Sequence, residues 1–311
     1  MSKRDPRKVF GETLLELGKE NEKVLALSCD SAAGSGMSPF ITAFPDRYVE
    51  CGISEQTGID VAVGLALVGY KPVISAIAPF ITYRCYEQIR NDVGYAKANV
   101  VIAGSSSGLQ QATLGSSHQA VEDIAVLRAV PNLVILNPGD PYEVDMALRQ
   151  AVAYNGPVYI RMPRAAVEDN PYPAGEGFEI GKAYVLRKPA TITLIATGMM
   201  TAQALAAADV LAEKGVEAGV VNVPTLKPID KETVLAACRA SEYVFTVEEH
   251  ITEGGLGSIV AELMAEEGVT AKLTRFGIPE GASLNGPYFE LVDAHGLSGA
   301  KIAERVLERI K

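Results

Sequence analysis

CGISEQTGIDVAVGLALVG, residues 51–69, decides the reading of this chain. A β-rich run at 48–52 leads into Ser54, a residue type that caps helix N-termini, and a helix is expected over 55–68. Glu55 falls in its first turn, and Asp60 is its only other charged residue. Small residues recur at Gly58, Ala62, Gly64 and Ala66, which lets a neighbour pack closely, so the helix is expected to be central and buried. A carboxylate at the mouth of such a helix meets two opposed effects. The helix dipole favours the anion by about 0.3–1 kcal/mol. Desolvation favours the neutral acid, and it wins when burial is complete. On the bare pattern, a first-turn Glu that supports a cap is the more ordinary use.

Outward from this segment, apolar strand runs alternate with amphipathic stretches. Strands are expected at 24–28, 48–52, 72–77, 100–104, 133–136 and 157–161, with helices at 8–20, 55–68, 83–97, 118–130 and 141–154. Continuous apolar strands separated by helices imply βαβ units and a parallel sheet covered on both faces. VEDNPYPAGEGFEIGK, residues 167–182, is dense in Pro, Gly and acids and reads as a connector. The alternation then resumes, with strands at 191–197, 218–223, 243–247 and 271–276 and helices at 200–214, 231–240, 256–267 and from 298. The fold class is therefore α/β, with two parallel-sheet three-layer domains at 1–166 and 188–311 joined by a linker at 167–187.

Composition agrees with two buried cores: 311 residues, 48% of them apolar and 21% charged. A formal net charge of −10 argues against nucleic acid as a partner. MSKRDPRKVF has no apolar signal region, and the longest apolar stretch, 58–69, is too short for a bilayer. A cytoplasmic protein without membrane contact is expected. Cys29, Cys51, Cys85 and Cys238 show no CxxC spacing and read as reduced structural thiols. Glu249-His250 is not a spaced metal motif, and 254–257 reads as a tight turn into a helix.

ECGISEQTGIDVAVGLAL (50–67) resembles the strand–Glu–helix segment of the pyrimidine-binding domain of transketolases and related thiamine-diphosphate enzymes. The similarity continues through LALSCD (25–30), YEQIRNDVGYAKANVVIAG (86–104), SSHQAVEDIAVLRAVPNLVILNPGDPYEV (116–144) and GPVYIRMPR (156–164). FTVEEHITEGGLGSIVAELMAE (245–266) and HGLSGAKIAERVLERI (295–310) resemble the transketolase C-terminal domain. The resemblance implies a pyrimidine-binding fold followed by a transketolase C-terminal domain-like fold.

It also implies roles. Glu55 would hydrogen-bond the pyrimidine N1′ atom and stabilise the imino tautomer, leaving the cofactor as electron sink. Asp30 would lie near the cofactor, at the carboxyl end of the first strand. Ile77, Phe80 and Tyr83 would pack against the pyrimidine, although the family commonly stacks an aromatic where Ile77 falls. His118, expected at a helix start, would handle protons on substrate oxygens. Arg7 and Arg164 would hold a distal phosphate. Leu114 stands where the family commonly has an Asp, and Ser106 where it commonly has a His. Losing polar readers changes discrimination, so an unusual sugar substrate is expected.

No Gly-Asp-Gly motif for diphosphate and magnesium occurs here. The resemblance therefore implies that Mg2+ and the diphosphate are held by a separate N-terminal transketolase subunit, with α2β2 the expected assembly. Ketol transfer between sugars is the leading activity. The alternatives are the β chain of a 2-oxo acid dehydrogenase E1 component, a deoxyxylulose-phosphate synthase and a non-catalytic regulatory subunit.

Overall fold

A computed structural model describes residues 2–282 and 284–311. The first unit runs through α1 (Pro6–Glu20), β1 (Val24–Ser28), α2 (Ser38–Ala43), β2 (Tyr48–Glu50), α3 (Glu55–Leu67), β3 (Lys71–Ile77), α4 (Ala78–Thr82), α5 (Tyr86–Gln88), β4 (Val101–Ser105), α6 (Asp123–Arg128), β5 (Val134–Leu136), α7 (Pro141–Ala153) and β6 (Val158–Arg161). The second contains β7 (Tyr184–Arg187), β8 (Ile192–Ala196), α8 (Met200–Glu213), β9 (Ala218–Asn222), β10 (Thr225–Lys227), α9 (Lys231–Arg239), β11 (Tyr243–Ile251), α10 (Leu256–Glu266), β12 (Lys272–Ile278), α11 (Tyr288–Ala294) and α12 (Gly299–Arg309).

Two sheets result, in the orders β10-β5-β6-β4-β3-β1-β2 and β12-β11-β8-β9-β7. Both are parallel except at one edge, where β10 and β7 run antiparallel to β5 and β9. Residues 184–187 lie within the expected connector yet form the edge strand β7. β10 follows the second unit's β9 but completes the first sheet. One continuous core joins the two sheets, from Leu27, Ile59 and Ile102 to Val221, Val260 and Leu263. The outer face of the first sheet is covered by Phe10, Leu14 and Leu148 from α1 and α7. α8 and α12 cover the outer face of the second.

Three expectations are corrected. The helix at 83–97 is a short α5 followed by a π-type turn over Ile89–Tyr95. There Gly94 lets Val130 approach, since a Cβ would sit 2.5 Å from the Val130 Cγ1. The helix at 118–130 shrinks to Asp123–Arg128, because Gly115 turns the chain at φ +88 and Ala120 pairs with Gly108. α3 is buried on one face only. Gly58, Ile59, Ala62 and Val63 pack inward, while Gly64 faces outward with nothing within 4 Å of a built Cβ, beside Leu67 at 72% exposure and Val68 at 73%. Glycine in a helix interior costs about 0.5–1 kcal/mol relative to Ala, and nothing among the described residues requires it at Gly64.

Buried polar contacts lock the units together. Arg161 donates from Nε to both oxygens of Asp123 at 3.1 and 3.0 Å, and from Nη2 to the carbonyls of Ala120 and Glu249, each at 2.8 Å. Tyr159 donates to Asp123 at 2.7 Å. The Glu248 carboxyl accepts from the amides of Leu256 and Gly257 at 2.7 and 2.8 Å, so the Gly-rich stretch is a turn into α10 with an acid at the helix mouth, which burial pushes up to about 7 against the pull of those two amides.

His250 is neutral in this packing. Nδ1 donates to the Ile251 carbonyl at 2.7 Å, leaving Nε2 to accept from the Ala125 amide at 3.3 Å. Burial pushes it down to about 4. Because the folded value lies below the unfolded one of about 6.5, the neutral ring's contribution is complete above pH 6.5 and is lost as pH falls toward 4. The stability advantage of the native chain over a His250→Gln variant should shrink by about 1.4 kcal/mol per pH unit across that window. Paired urea titrations at pH 7.5, 6, 5 and 4.5 check this. A pH-independent difference would contradict it.

Candidate functional site

The carboxyl ends of β1, β2, β3, β4 and β6 meet at one rim, where open α/β sheets gather ligands, and the candidate residues follow those strands, except Arg7, which lies on α1. Glu50, at the end of β2, organises the rim. Its carboxylate accepts from the amides of Asp30 and Gly52 at 2.8 Å each, from Ser28 Oγ at 2.9 Å and from the Tyr48 hydroxyl. Burial would raise its pKa, but these donors outweigh burial and hold it below the ordinary glutamate value. Asp30 sits in the left-handed region at φ +53, with its side chain exposed at the rim.

Glu55 opens α3 with its side chain only 4% exposed. Ser54 does not cap the helix with its side chain; its hydroxyl instead donates to Thr57 Oγ1 at 2.8 Å. The Glu55 carboxylate is not alone in an apolar cleft, because Arg84 Nη1 lies 2.6 Å from its Oε2. The Arg84 guanidinium lies over the Phe80 ring, 4.9 Å from its centroid. Phe80 in turn meets the His118 ring edge-on, with centroids 5.1 Å apart at 75°. Glu55, Arg84, Phe80 and His118 thus form one continuous line of contact. Arg84 carries no motif signal in the sequence; its one local cue is that it lies four residues after Phe80, the spacing that stacks helical neighbours.

His118 lies on a 3-10 turn, Ser116–His118, five positions before α6 begins, and so does not stand at a helix start. Its Nδ1 lies 3.0 Å from Ser117 Oγ. Ile77 closes β3, half-buried and in register with Ser105 of β4. Tyr83 turns its hydroxyl to Glu122, donating to Oε2 at 2.8 Å and accepting from the amide at 3.0 Å. Burial first, and the Asp123 charge next, push that hydroxyl well above its ordinary pKa. It is a bracing group in this geometry.

Ser106 follows β4 at φ +57, buried, with Oγ 3.5 Å from Arg164 Nη1. Arg7 is clamped on Asp5 by contacts of 3.2 and 2.7 Å. Burial and then the Arg7 charge lower the pKa of Arg164, so the two cations share one neighbourhood. Paired guanidinium groups suit an oxyanion. Leu114 lies on the turn Ala112–Leu114 and is 56% exposed.

The site fits the pyrimidine end of thiamine diphosphate. A buried carboxyl suits a ring nitrogen, and the half-exposed Phe80 ring offers an apolar surface in contact with the same line of residues. Among the described residues no group of three or more His, Cys, Asp or Glu could hold a metal ion. A cleft of about 720 Å³, lined by Gly18, Phe44, Arg47 and Tyr70 among others, contains none of the candidate residues. Burial pushes the Cys29 and Cys85 thiols up to about 12 each, which suits inert structural groups. No helix among the described residues is long and apolar enough to cross a membrane.

The family described as transketolase, pyrimidine binding domain, matches residues 2–169, and the transketolase C-terminal domain matches 181–302. A chain from Methanocaldococcus jannaschii named as a transketolase C-terminal section is 40% identical over 308 residues, 98% of this chain and 96% of that one. One of the chains of apulose-4-phosphate transketolase from Phocaeicola vulgatus is 35% identical, covering 98% and 97%. A 1-deoxy-D-xylulose-5-phosphate synthase from Heliobacterium modesticaldum is 37% identical over 95% of this chain but only 45% of its own length. A solved split-gene transketolase, described as an inactive beta4 tetramer, superposes with a TM-score of 0.87 at 37% identity, covering 99% and 98%.

Proposed function

This chain belongs to the transketolase family, and on that premise we propose that it is the C-terminal subunit of a split transketolase, moving a two-carbon ketol unit from a ketose donor to an aldose acceptor. The observation that carries this reading is the buried Glu55 carboxyl, linked through Arg84 and Phe80 to His118 at the strand-end rim. Thiamine diphosphate, when bound, supplies the electron sink that cleavage of a bond beside a carbonyl requires. Glu55 would hold a proton toward its pyrimidine nitrogen, in place of the Arg84 contact. Ile77 and Phe80 would give the ring an apolar wall, with Tyr83, held on Glu122, and Asp30 completing the set of residues around it. His118 holds or accepts a proton at a substrate oxygen. Arg7 and Arg164, with Ser106 beside them, hold the distal anionic group.

On this reading the diphosphate and Mg2+ belong to an N-terminal partner chain in an α2β2 assembly, which is supported by the relative named as a C-terminal section and by the split-gene structure, both matched over nearly their whole length. The exposed apolar face of α3, with Leu67 and Val68 beside the open Gly64, supports an interface between chains on the helix that Glu55 begins. Exposed Leu114 supports a sugar without the hydroxyl that the family's Asp reads, and one relative matched over nearly its whole length is named for apulose 4-phosphate.

Reconstitution tests the proposal. This chain mixed with an N-terminal-section partner, thiamine diphosphate and Mg2+ should transfer a ketol unit, whereas either chain alone should not. The best donor should be neither xylulose 5-phosphate nor fructose 6-phosphate. Turnover of 2-oxo acids with lipoamide, or of pyruvate with glyceraldehyde 3-phosphate, in place of ketol transfer would assign the pair to a different reaction.

A further inference from the structure

Glu249 belongs to β11 of the second unit, yet its side chain is spent on a loop of the first. Oε1 accepts from the Leu109 amide at 2.6 Å, and Oε2 accepts from the Tyr288 hydroxyl of α11 at 2.7 Å. The loop comes this close because residue 108 is glycine at φ +64. A Cβ there would stand 2.2 Å from Glu249 Oε1 and 2.6 Å from Cδ. Leu109, Ala112 and Val121 complete the attachment by packing into the second unit's core. A carboxylate this deeply buried is costly unless its hydrogen bonds are satisfied, so the arrangement holds the loop in one place.

The same loop holds Arg164. Gln110 Oε1 accepts from the amides of Arg164 and Ala165 at 3.2 and 2.8 Å. Ser107 donates from both its amide and its hydroxyl to the Met162 carbonyl, at 3.1 and 3.0 Å. Ser106 Oγ lies 3.5 Å from the Arg164 guanidinium.

We propose that Glu249 is a positioning residue for substrate recognition: through Leu109 it fixes the 106–110 loop, and through that loop it aims Arg164 at the anionic tail of the substrate. This gives the C-terminal unit a part in choosing substrate without touching it. The inference rests on the reading above that Arg164 meets that tail.

The test uses the reconstituted two-chain enzyme with a phosphorylated ketose donor and its unphosphorylated counterpart. Glu249→Ala should raise the KM for the phosphorylated donor by roughly tenfold, the scale of one weakened hydrogen bond to a charged group, with the loss concentrated on that donor. Glu249→Gln, which keeps an acceptor for Leu109, should recover most of it. Inhibition by inorganic phosphate should weaken in parallel with the KM change. Gly108→Ala, which pushes the loop off Glu249 without altering the carboxylate, should give the same split and carries the test if Glu249→Ala does not fold. Equal losses on both donors, or no loss in Gly108→Ala, would overturn the proposal. Arg164→Met separates the premise: if it leaves the phosphorylated donor's KM unmoved, the reading of Arg164 fails; if it raises that KM while Glu249→Ala and Gly108→Ala do not, only the positioning role fails.

Discussion

Glu55→Gln should lower ketol transfer by the reconstituted pair by roughly 10²–10⁴-fold, the range that a positioned acid–base group contributes, while the chain still folds and assembles. Glutamine keeps the volume of a side chain that is only 4% exposed, and its carbonyl oxygen can still accept from Arg84. What it loses is a titratable carboxyl proton at the position proposed to face the pyrimidine nitrogen. An unchanged melting temperature beside a collapsed rate would separate chemistry from folding. An unchanged rate would remove Glu55 from the mechanism and favour a chain that keeps the fold without the catalysis.

Arg161→Met should cost about 3–5 kcal/mol of stability, the scale for leaving one partner of a buried ion pair uncompensated. Asp123 has no exposed side-chain surface and would keep the Tyr159 hydroxyl while losing the guanidinium. The carbonyls of Ala120 and Glu249 would lose their Arg161 donor at the same time. Because those carbonyls belong to different units, the loss should loosen the contact between them. Urea unfolding measures the cost, and adding Asp123→Asn to Arg161→Met should recover part of it by removing the stranded charge. A loss below about 1 kcal/mol would mean that water or rearrangement replaces the guanidinium.

The α/β architecture was legible because its signals are local. Fully buried strands such as Val24–Ser28 and Ile192–Ala196 must be apolar throughout, and the helices between them must carry one apolar face. The misses occurred where a distant contact overrode a local preference. Residues 118–122 carry a helical pattern, yet Ala120 exchanges two hydrogen bonds with Gly108, each of 3.0 Å, and delays α6. Residues 225–227 make a strand because β5 offers an unpaired edge.

The order of βαβ units, the start of α3 at Glu55 and the resemblance carried by ordered motifs follow from the sequence by itself, since periodicity and turn chemistry act between near neighbours. Only the tertiary structure decided what stands beside Glu55. Arg84 reaches it across 29 positions, and Glu249 reaches Leu109 across 140. Such pairings are chosen by how whole sheets pack, because an ion pair or a buried carboxylate is stable only where the fold excludes water and supplies every partner at once.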